Sequence, residues 1–300
     1  MKRFIEGADR TQVSLLPECV DTVSEAHGVR ELPDYQHAAL EAASTATRLD
    51  PKLSLPFAVR GMVQSNLLVR DQSTSWEESI AGLTQAIVND PKDATAYFWR
   101  STVFSDLGYF DRARADLQRC LEIDPAYEIC RRFIAVTELL QGHVDSALPL
   151  YEAGLQKGYL NADAFFVPPL AARGDRIGAL GILVLTYQEK PELIGLLFRA
   201  TTDPSFSDRD RQEGITIVNA GLPNKDLAFE AFWILKAYDQ IAALPLAEAP
   251  LIWWVPGDEG WLRSPARKTM MKQWRLREYW HRHGFPPQCK AIGESDFDCH

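Results

Sequence analysis

The stretch that decides the fold runs from Ala94 to Pro125, ATAYFWRSTVFSDLGYFDRARADLQRCLEIDP. Large side chains recur at helical spacing in both halves of this stretch, and small side chains stand between them. Gly108 lies where a first helix would end, and Asp124-Pro125 closes a second one. The pattern predicts two antiparallel helices that pack face to face as a hairpin of fixed size.

The same punctuation recurs outside this stretch, because Asp-Pro also stands at Asp50-Pro51 and Asp90-Pro91, and Pro91 and Pro125 are 34 residues apart. With Ala94 as position one, the characteristic residues fall at positions 4, 11, 15, 17, 20, 24, 27 and 32, namely Tyr97, Phe104, Gly108, Phe110, Ala113, Leu117, Cys120 and Pro125. The stretch therefore resembles a tetratricopeptide repeat (TPR). The resemblance implies stacked hairpins that form a superhelix with a concave and a convex face.

The neighbouring units depart from the 34-residue period at identifiable places. Pro51 and Pro91 are 40 residues apart, and the polar run 70–75 accounts for the excess as a longer turn between helices expected at 57–69 and 76–88. Residues 35–49 have the pattern of a second helix, whose partner is expected around 15–26. After Pro125 the sequence predicts helices over 128–140 and 144–156.

The pattern weakens toward the C-terminus. Residues 160–191 are a degraded copy, because Pro168-Pro169 would break the interior of its first helix. From 192 to 244 helical periodicity continues without a clean motif, with 211–220 and 227–243 as a further hairpin. A bundle without repeats is an equal alternative for this region.

Five of the eight tryptophans lie between Trp253 and Trp280. Pro265 suits the first turn of a helix that is expected to run to about His283, where Gly284 would end it. We expect this aromatic segment to cover the open end of the last repeats. An exposed aromatic docking patch is the competing interpretation.

These observations predict an all-α fold, a TPR-like right-handed helical-hairpin solenoid with a Trp-rich C-terminal capping segment. We expect an N-terminal helical segment at 1–33, followed by about four TPR repeats at 34–191, the last of them degenerate. Degenerate helical hairpins are expected at 192–250, and the Trp-rich cap at 251–300.

The tail carries a second resemblance. Its ordered motifs resemble the closing segment of TPR regions in bacterial winged-helix transcription regulators and class III adenylate cyclases: Trp261-Leu262-Arg263-Ser264-Pro265-Ala266-Arg267, Leu276-Arg277-Glu278-Tyr279-Trp280, Gly284-Phe285-Pro286-Pro287-Gln288-Cys289 and Asp296-Phe297-Asp298-Cys299. Those proteins carry an effector domain that this sequence lacks, so no catalytic residue carries over. Where that region lies outside the inner membrane, the resemblance implies a disulfide between Cys289 and Cys299. In a cytoplasmic chain both would be free thiols.

In TPR folds, positions 2, 5, 9 and 12 of the first helix tend to line the concave face. In two successive units we predict that these positions form a partner-binding groove: Thr95, Phe98, Thr102 and Ser105, then Ile129, Arg132, Val136 and Leu139. Chaperone-binding TPRs clamp a C-terminal carboxylate with Lys and Asn at positions 5 and 9, and Phe98 and Thr102 replace both. The groove favours an extended or helical peptide with hydrophobic anchors. The chain's own tail or a second copy are alternative occupants, so self-association stays open.

Composition limits the function classes. The net charge of −9 disfavours nucleic-acid binding, because a phosphate backbone requires a basic face. No apolar run approaches the length of a bilayer span, and no signal-like segment follows Met1. We expect no membrane partner for this chain and a cytoplasmic location by default, or a periplasmic one if the chain is a fragment of a membrane-anchored protein.

Candidate chemistry is sparse. No phosphate-binding loop, nucleophile elbow or zinc-protease motif occurs, and no cofactor is expected. A metal site at His281, His283, Cys289, Cys299 and His300 is disfavoured, because alternate helix residues point about 200° apart. Cys120 stands at a packed repeat position, where we expect a buried, inert thiol.

The function predicted from the sequence is a non-enzymatic TPR protein–protein interaction module, in bacterial signalling or regulation, that binds a protein or peptide. The alternative is a ligand-sensing region of a regulator or cyclase whose output domain is absent. An enzyme with an active site within 192–256 is a third hypothesis.

Overall fold

The chain folds as a series of antiparallel helical hairpins. The computed structural model describes residues 32–71, 73–156, 163–222, 225–244, 254 and 259–299. The helices are α1 Leu32–Leu49, α2 Leu55–Asp71, α3 Trp76–Asn89, α4 Ala94–Asp106, α5 Phe110–Ile123, α6 Glu128–Leu140, α7 Val144–Gln156, α8 Val167–Arg173, α9 Arg176–Thr186, α10 Pro191–Thr202, α11 Asp208–Asn219, α12 Lys225–Ile234, α13 Tyr238–Ala242, α14 Glu259–Leu262, α15 Pro265–Gln273 and α16 Leu276–His283. Two strands follow, β1 Cys289–Ile292 and β2 Asp296–Cys299. The predicted all-α, TPR-like solenoid is confirmed.

The central hairpin, α4 and α5, forms for the reasons that its sequence suggests. Asp93 caps α4 by accepting a hydrogen bond from the amide of Ala96 at 3.0 Å. Gly108 ends the first helix with a φ of +78°, a backbone conformation that glycine adopts without strain. Ala113 and Leu117 of α5 are fully buried against α4. The hairpin is thus closed by a cap, a left-handed turn and an apolar seam.

The extra residues of the preceding hairpin lie mainly in its first helix. α2 has 17 residues, whereas α4 has 13, so the helix continues to Asp71 instead of ending at Val69. Ser75 then starts α3 with a reciprocal capping box, in which the Ser75 hydroxyl and the Glu78 carboxylate each accept from the other's backbone amide. The turn between α2 and α3 is therefore shorter than the six residues predicted at 70–75. The partner helix expected around 15–26 lies outside the described residues.

The degraded unit predicted at 160–191 forms two helices, α8 and α9, and its two prolines have a different role from the one expected. A 3₁₀ turn at Ala164–Phe166 leads into α8, and Pro168-Pro169 lie in the first turn of that short helix. Proline is tolerated there, because the first amides of a helix have no partner within it. Pro168-Pro169 therefore begin a seven-residue helix rather than break a longer one.

Two long helices expected near the C-terminus are each split in two. The helix expected at 227–243 is divided between α12 and α13, where Lys236 has a φ of +56°. The helix expected from Pro265 to His283 is divided between α15 and α16, where Arg275 has a φ of +57°. The apolar periodicity continued through both breaks, and so it concealed them.

A two-stranded hairpin, which the sequence did not predict, ends the described chain. β1 and β2 are antiparallel, with Cys289 directly opposite Cys299 in the register and joined to it by a disulfide. Phe297 of β2 is buried and packs edge-on against Trp280, with ring centroids 5.4 Å apart. One ring and one disulfide thus anchor this hairpin to the helical body.

The Trp-rich cap spans more of the solenoid than expected. At the last hairpin, Trp261 packs against Phe229 and Tyr238, as predicted for a terminal cap. From there the segment returns to the middle of the chain, where Trp274 stacks on Trp76 of α3, whose indole N–H donates to the carbonyl of Trp274 at 2.9 Å. The cap therefore packs on the last hairpin, as expected, and in addition on the central repeats, which the sequence did not predict.

The cap contacts the central hairpin through the carbonyls at the end of α4. The indole Nε1 groups of Trp254 and Trp280 donate to the carbonyls of Asp106 and Leu107, each at 3.0 Å, and the amide of Gln288 donates to that of Gly108 at 2.9 Å. The last carbonyls of a helix lack intrahelical partners, and here side chains of the cap supply them. The three donors thus satisfy three consecutive acceptors at one helix end.

Tyr109 adds a fourth polar contact at the same place. Its hydroxyl donates to the carbonyl of Gly284 at 2.5 Å, and its ring lies edge-on to Tyr279. Burial, together with Tyr279, raises the pKa of Tyr109 to about 12, so the hydroxyl keeps its proton at neutral pH.

No helix in the described part of the chain has the length and apolar character that a bilayer span requires.

Replacing Gly108 by alanine tests the contact between cap and central hairpin. A Cβ there would lie 2.6 Å from Gln288 Nε2 and from Trp254 Cζ2, and it would also force alanine to a positive φ. Gly142, in the equivalent turn of the next hairpin, has the same φ of +78° with no atom within 4 Å of its Cβ position. We expect Gly142→Ala to cost about 1–2 kcal/mol from strain alone, and Gly108→Ala about 1–3 kcal/mol more.

Urea denaturation followed by circular dichroism would measure both free energies of unfolding. Equal losses in the two variants would contradict the close packing of the cap on Gly108.

Candidate functional site

The eight predicted groove residues fall into two groups along α4 and α6. In each helix the earlier of these positions are partly exposed and the later ones are buried. The partly exposed group is Thr95, Phe98, Thr102, Ile129 and Arg132, and the buried group is Ser105, Val136 and Leu139. Only the first group can contact a partner without rearrangement of the chain.

The chain itself fills the buried end of the groove. Ser105 directly precedes the carbonyls that the cap engages, and it is 2% exposed. Val136 and Leu139 belong to one apolar cluster with Phe166, Trp233 and Trp254, which come from the later hairpins and the cap. The buried end of the predicted groove is therefore part of the core of the chain.

Phe98 lies at the centre of the open end. Its ring packs edge-on against Phe133 and Tyr127, with centroids 5.1 and 6.0 Å away. These three rings come from α4, α6 and the turn between the two hairpins, so they join neighbouring repeats. Because Phe98 keeps part of its surface exposed, this aromatic group offers an apolar contact to a ligand.

Polar groups flank Phe98 on both sides along α4. Thr95 Oγ1 lies 3.3 Å from the Tyr127 hydroxyl, and the Thr102 hydroxyl donates to the carbonyl of Trp99 at 2.8 Å. Ile129 adds a partly exposed aliphatic side chain from the next repeat. The open end is therefore mainly apolar, with small hydroxyls at its edge.

Arg132 is held by an ion pair within the chain. Its guanidinium donates through Nε to Asp163 Oδ2 at 2.9 Å and through a second nitrogen to Asp163 Oδ1. Burial disfavours the charge, but the carboxylate of Asp163 outweighs this effect, and the pKa of Arg132 is raised. Tyr151 supports the pair, because its hydroxyl accepts from the amide of Asp163 at 2.8 Å.

A second arginine near the groove is engaged in the same manner. Arg100 of α4 makes two hydrogen bonds of 2.8 Å to the carboxylate of Asp116 in α5. Neither Arg100 nor Arg132 is therefore available to neutralise the charge of an incoming carboxylate without breaking a bidentate pair.

Three residues of this region went unnoticed in the sequence: Tyr127, Phe133 and Asp163. Tyr127 is the last residue of the 34-residue unit, and its apolar character was the one available signal. Phe133 directly follows Arg132 and lies outside the four positions considered. Asp163 follows a connection whose length the repeat pattern does not specify, so its pairing with Arg132 required the tertiary structure.

The cysteines form two disulfides. Cys120 is buried, as expected, but it is bonded to Cys130 across the Asp124-Pro125 turn, so the expectation of a free thiol is wrong. The Cα atoms of this pair are 6.5 Å apart, because one cysteine closes α5 and the other lies in the first turn of α6. The second disulfide joins Cys289 and Cys299.

The histidines considered as metal ligands have other contacts. His283 Nε2 lies 2.8 Å from Glu77 Oε1, and the ring of His281 packs edge-on against Phe285. Within the described residues no group of three or more His, Cys, Asp or Glu side chains could hold a metal ion. His300 lies outside those residues.

Residues 94–127 match the tetratricopeptide repeat family. This segment is a TPR. Among curated proteins, the chain is similar to Hsp70-Hsp90 organizing protein 1 of Glycine max, at 30% identity over 107 residues, and to the Hsp70-Hsp90 organizing protein of Triticum aestivum, at 27% identity over 107 residues. Each alignment covers 36% of this chain but only 18% and 17% of those proteins, respectively.

Among solved structures, the chain is similar to YrrB, described as a TPR protein with an unusual peptide-binding site. The identity is 18% and the TM-score 0.45, with coverage of 64% of this chain and 98% of that chain.

A double-mutant cycle tests the ion pair between Arg132 and Asp163. Arg132→Met leaves a largely buried carboxylate without its cation, and we expect it to lower the free energy of unfolding by about 3–5 kcal/mol. Adding Asp163→Leu should recover most of that loss, because the buried charge is then removed as well. The measurement is urea denaturation at neutral pH.

Arg131→Met is the matched control, since Arg131 pairs with Glu128 at a more exposed position. We expect it to cost about 1 kcal/mol or less. A similar loss in both single variants would show that the Arg132 pair is not a buried one.

Proposed function

We propose that this chain is a non-enzymatic protein-interaction module that binds a peptide or protein segment through the open end of its concave groove. The partner-facing residues in this proposal are Thr95, Phe98, Thr102 and Ile129, with Arg132 at the edge. The bound segment is extended or helical and inserts an apolar side chain beside Phe98. Ser105, Val136 and Leu139 support the groove from within.

The observation that carries this proposal is the partly exposed Phe98 at the position where a carboxylate clamp has a lysine. An aromatic ring binds an apolar side chain through buried area, whereas a clamp binds a terminal carboxylate through charge. The two nearby arginines are paired with Asp116 and Asp163. A ligand that depends on its free C-terminus would therefore find no unpaired cation among these residues.

The names of the relatives agree with a protein-binding role and differ from it in detail. The Glycine max and Triticum aestivum proteins are named as Hsp70-Hsp90 organizing proteins, and each aligns over 107 residues. By analogy, this chain would also bring proteins together. Because Phe98 and Thr102 replace the clamp residues, we propose a ligand other than a chaperone C-terminus.

The resemblance of the tail supports a place in bacterial signalling. In this proposal the chain presents its groove to a regulator or cyclase partner.

We infer that the chain folds in an oxidising compartment, in place of the cytoplasmic default. Two disulfides, Cys120–Cys130 and Cys289–Cys299, support this inference, because glutathione and thioredoxin keep cytoplasmic thiols reduced. The Cys120–Cys130 disulfide joins two neighbouring helices, and the Cys289–Cys299 disulfide joins two paired strands.

Thiol labelling in source cells tests this inference. The sequence has five cysteines, four of which lie in the two disulfides, so a thiol-alkylating reagent should add at most one group to the protein after acid quenching. A reduced and denatured sample should take five, as the control. Five groups without reduction would place the chain in a reducing compartment.

The binding proposal is tested with a phage-displayed peptide library selected on the wild-type protein. Selected peptides are synthesised with a fluorophore, and their affinities are measured by fluorescence anisotropy. Thr102→Arg adds a large charged side chain beside Phe98, and we expect it to weaken binding at least about tenfold. Amidation of the peptide C-terminus should leave the affinity unchanged, because no clamp holds the carboxylate.

Gln118→Arg adds the same charge at an exposed position of α5 and should have no effect on binding. Equal affinities for Thr102→Arg and Gln118→Arg would exclude the open end of the groove as the binding face. Val136 is unsuitable for such a test, because an aspartate at that buried position would damage the core.

A further inference from the structure

α9 exposes an apolar face that no described part of the chain covers. Ala179, Ile182 and Leu183 are buried on its inner side, against α8 and α10. On the outer side Ile177 is 87% exposed and Leu185 60% exposed, with Leu180 and Val184 also exposed between them. A helix that is apolar on both sides is usually buried on both sides. An exposed cluster of four aliphatic side chains on one helix therefore indicates an interface.

Gly181 lies at the centre of this face. Glycine inside a helix costs about 1 kcal/mol relative to alanine, so its presence needs a reason. No atom of the described chain lies within 4 Å of the position that a Cβ would take, and so no intramolecular contact requires a glycine here. A backbone that approaches closely from outside would require it.

We propose that two copies of this chain associate through α9, with the two helices crossing at Gly181 in antiparallel orientation. Ile177 precedes Gly181 by four residues and Leu185 follows it by four, so a two-fold axis through Gly181 brings Ile177 of one copy onto Leu185 of the other. Leu180 and Val184 pack beside the crossing. The same residues thus supply both halves of the interface.

The charges at the two ends of α9 favour this orientation. Arg176 begins the helix and Glu189 follows its C-terminal end, and both are exposed. The opposite charges beside them, Asp175 and Lys190, are less exposed, and Asp175 is engaged in capping the helix at the amide of Gly178. In an antiparallel pair, Arg176 of each copy lies at the end where the other copy has Glu189. A parallel pair would place like charges together. Among the eleven residues of α9, Arg176 is the one charged residue, so the stripe between the two ends carries no charge. The repulsion that the net charge of −9 creates between two copies is therefore weakest at this stripe.

A second exposed helical glycine provides a contrast. Gly195 of α10 also has no atom within 4 Å of its Cβ position, but Glu192 and Arg199 beside it are charged, and the apolar neighbours Ile194 and Phe198 are packed against the core. Without a row of exposed aliphatic side chains around it, Gly195 offers no self-complementary surface. The pair of glycines therefore separates the effect of filling an interface from that of changing a helical glycine.

Sedimentation velocity of the full chain over a range of concentrations tests the proposal. We expect the wild type to form a weak dimer of twice 33.8 kDa, with a dissociation constant of about micromolar, because a single helix crossing is smaller than a standard interface. Gly181→Leu and the double variant Ile177→Asp, Leu185→Asp should each weaken the dimer at least about a hundredfold. Gly195→Leu and Val88→Asp, which change an equally open glycine and another exposed aliphatic side chain, should leave it intact.

Circular dichroism and the melting temperature establish that each variant is folded. A wild-type chain that stays monomeric at every concentration would overturn the proposal. So would a dimer that Gly181→Leu leaves unchanged, because association would then use another face. A monomer whose stability falls in the Asp double variant would instead indicate that another part of the same chain covers α9.

Discussion

The structure depends on three consecutive carbonyls at the end of α4. Carbonyls at a helix end have no acceptor role within the helix, and these belong to Asp106, Leu107 and Gly108. Side chains from residues about 150 to 180 positions later donate hydrogen bonds to them. Two of the donors are indoles, which bring large apolar area to the site together with one N–H group each. The same contact therefore satisfies a helix end and buries the cap. It converts an open row of hairpins into a chain whose end is fixed to its middle.

That closure determines which part of the proposed groove is accessible to the proposed partner. The first-helix residues nearest the α4 carbonyls are buried with the cap and the later hairpins, whereas Thr95, Phe98 and Thr102 remain accessible. The ion pair of Arg132 and Asp163 has a similar consequence, because it uses the one cation of the predicted groove to hold two units together. The burial of these residues and the ion pair both stabilise the solenoid, and both leave a surface that favours an apolar ligand.

The two proposed surfaces use different chemistry on different elements. The open groove presents an aromatic ring flanked by hydroxyl groups, which suits the anchor of a flexible peptide. α9 presents aliphatic side chains around a glycine, which suits a rigid helix of matching shape. If both surfaces act, dimerisation through α9 would place two grooves in one particle. A partner with two binding segments would then bind more tightly than either segment alone.

The sequence by itself determined the hairpin architecture of the central region, since the spacing of Tyr97, Gly108, Ala113 and Pro125 specifies helix lengths, a turn and a seam that form locally. It also indicated the unit that Pro168-Pro169 shorten and the aromatic content of the cap. The breaks at Lys236 and Arg275 were not visible, because apolar periodicity continues through them. The pairing of Cys120 with Cys130, the partner of Arg132 and the site where the cap docks were decided by the tertiary structure. The disulfide depends on how closely α5 and α6 approach each other at the turn between them. The other two depend on where a distant or irregular segment comes to lie, and a local pattern of side chains contains no information about that.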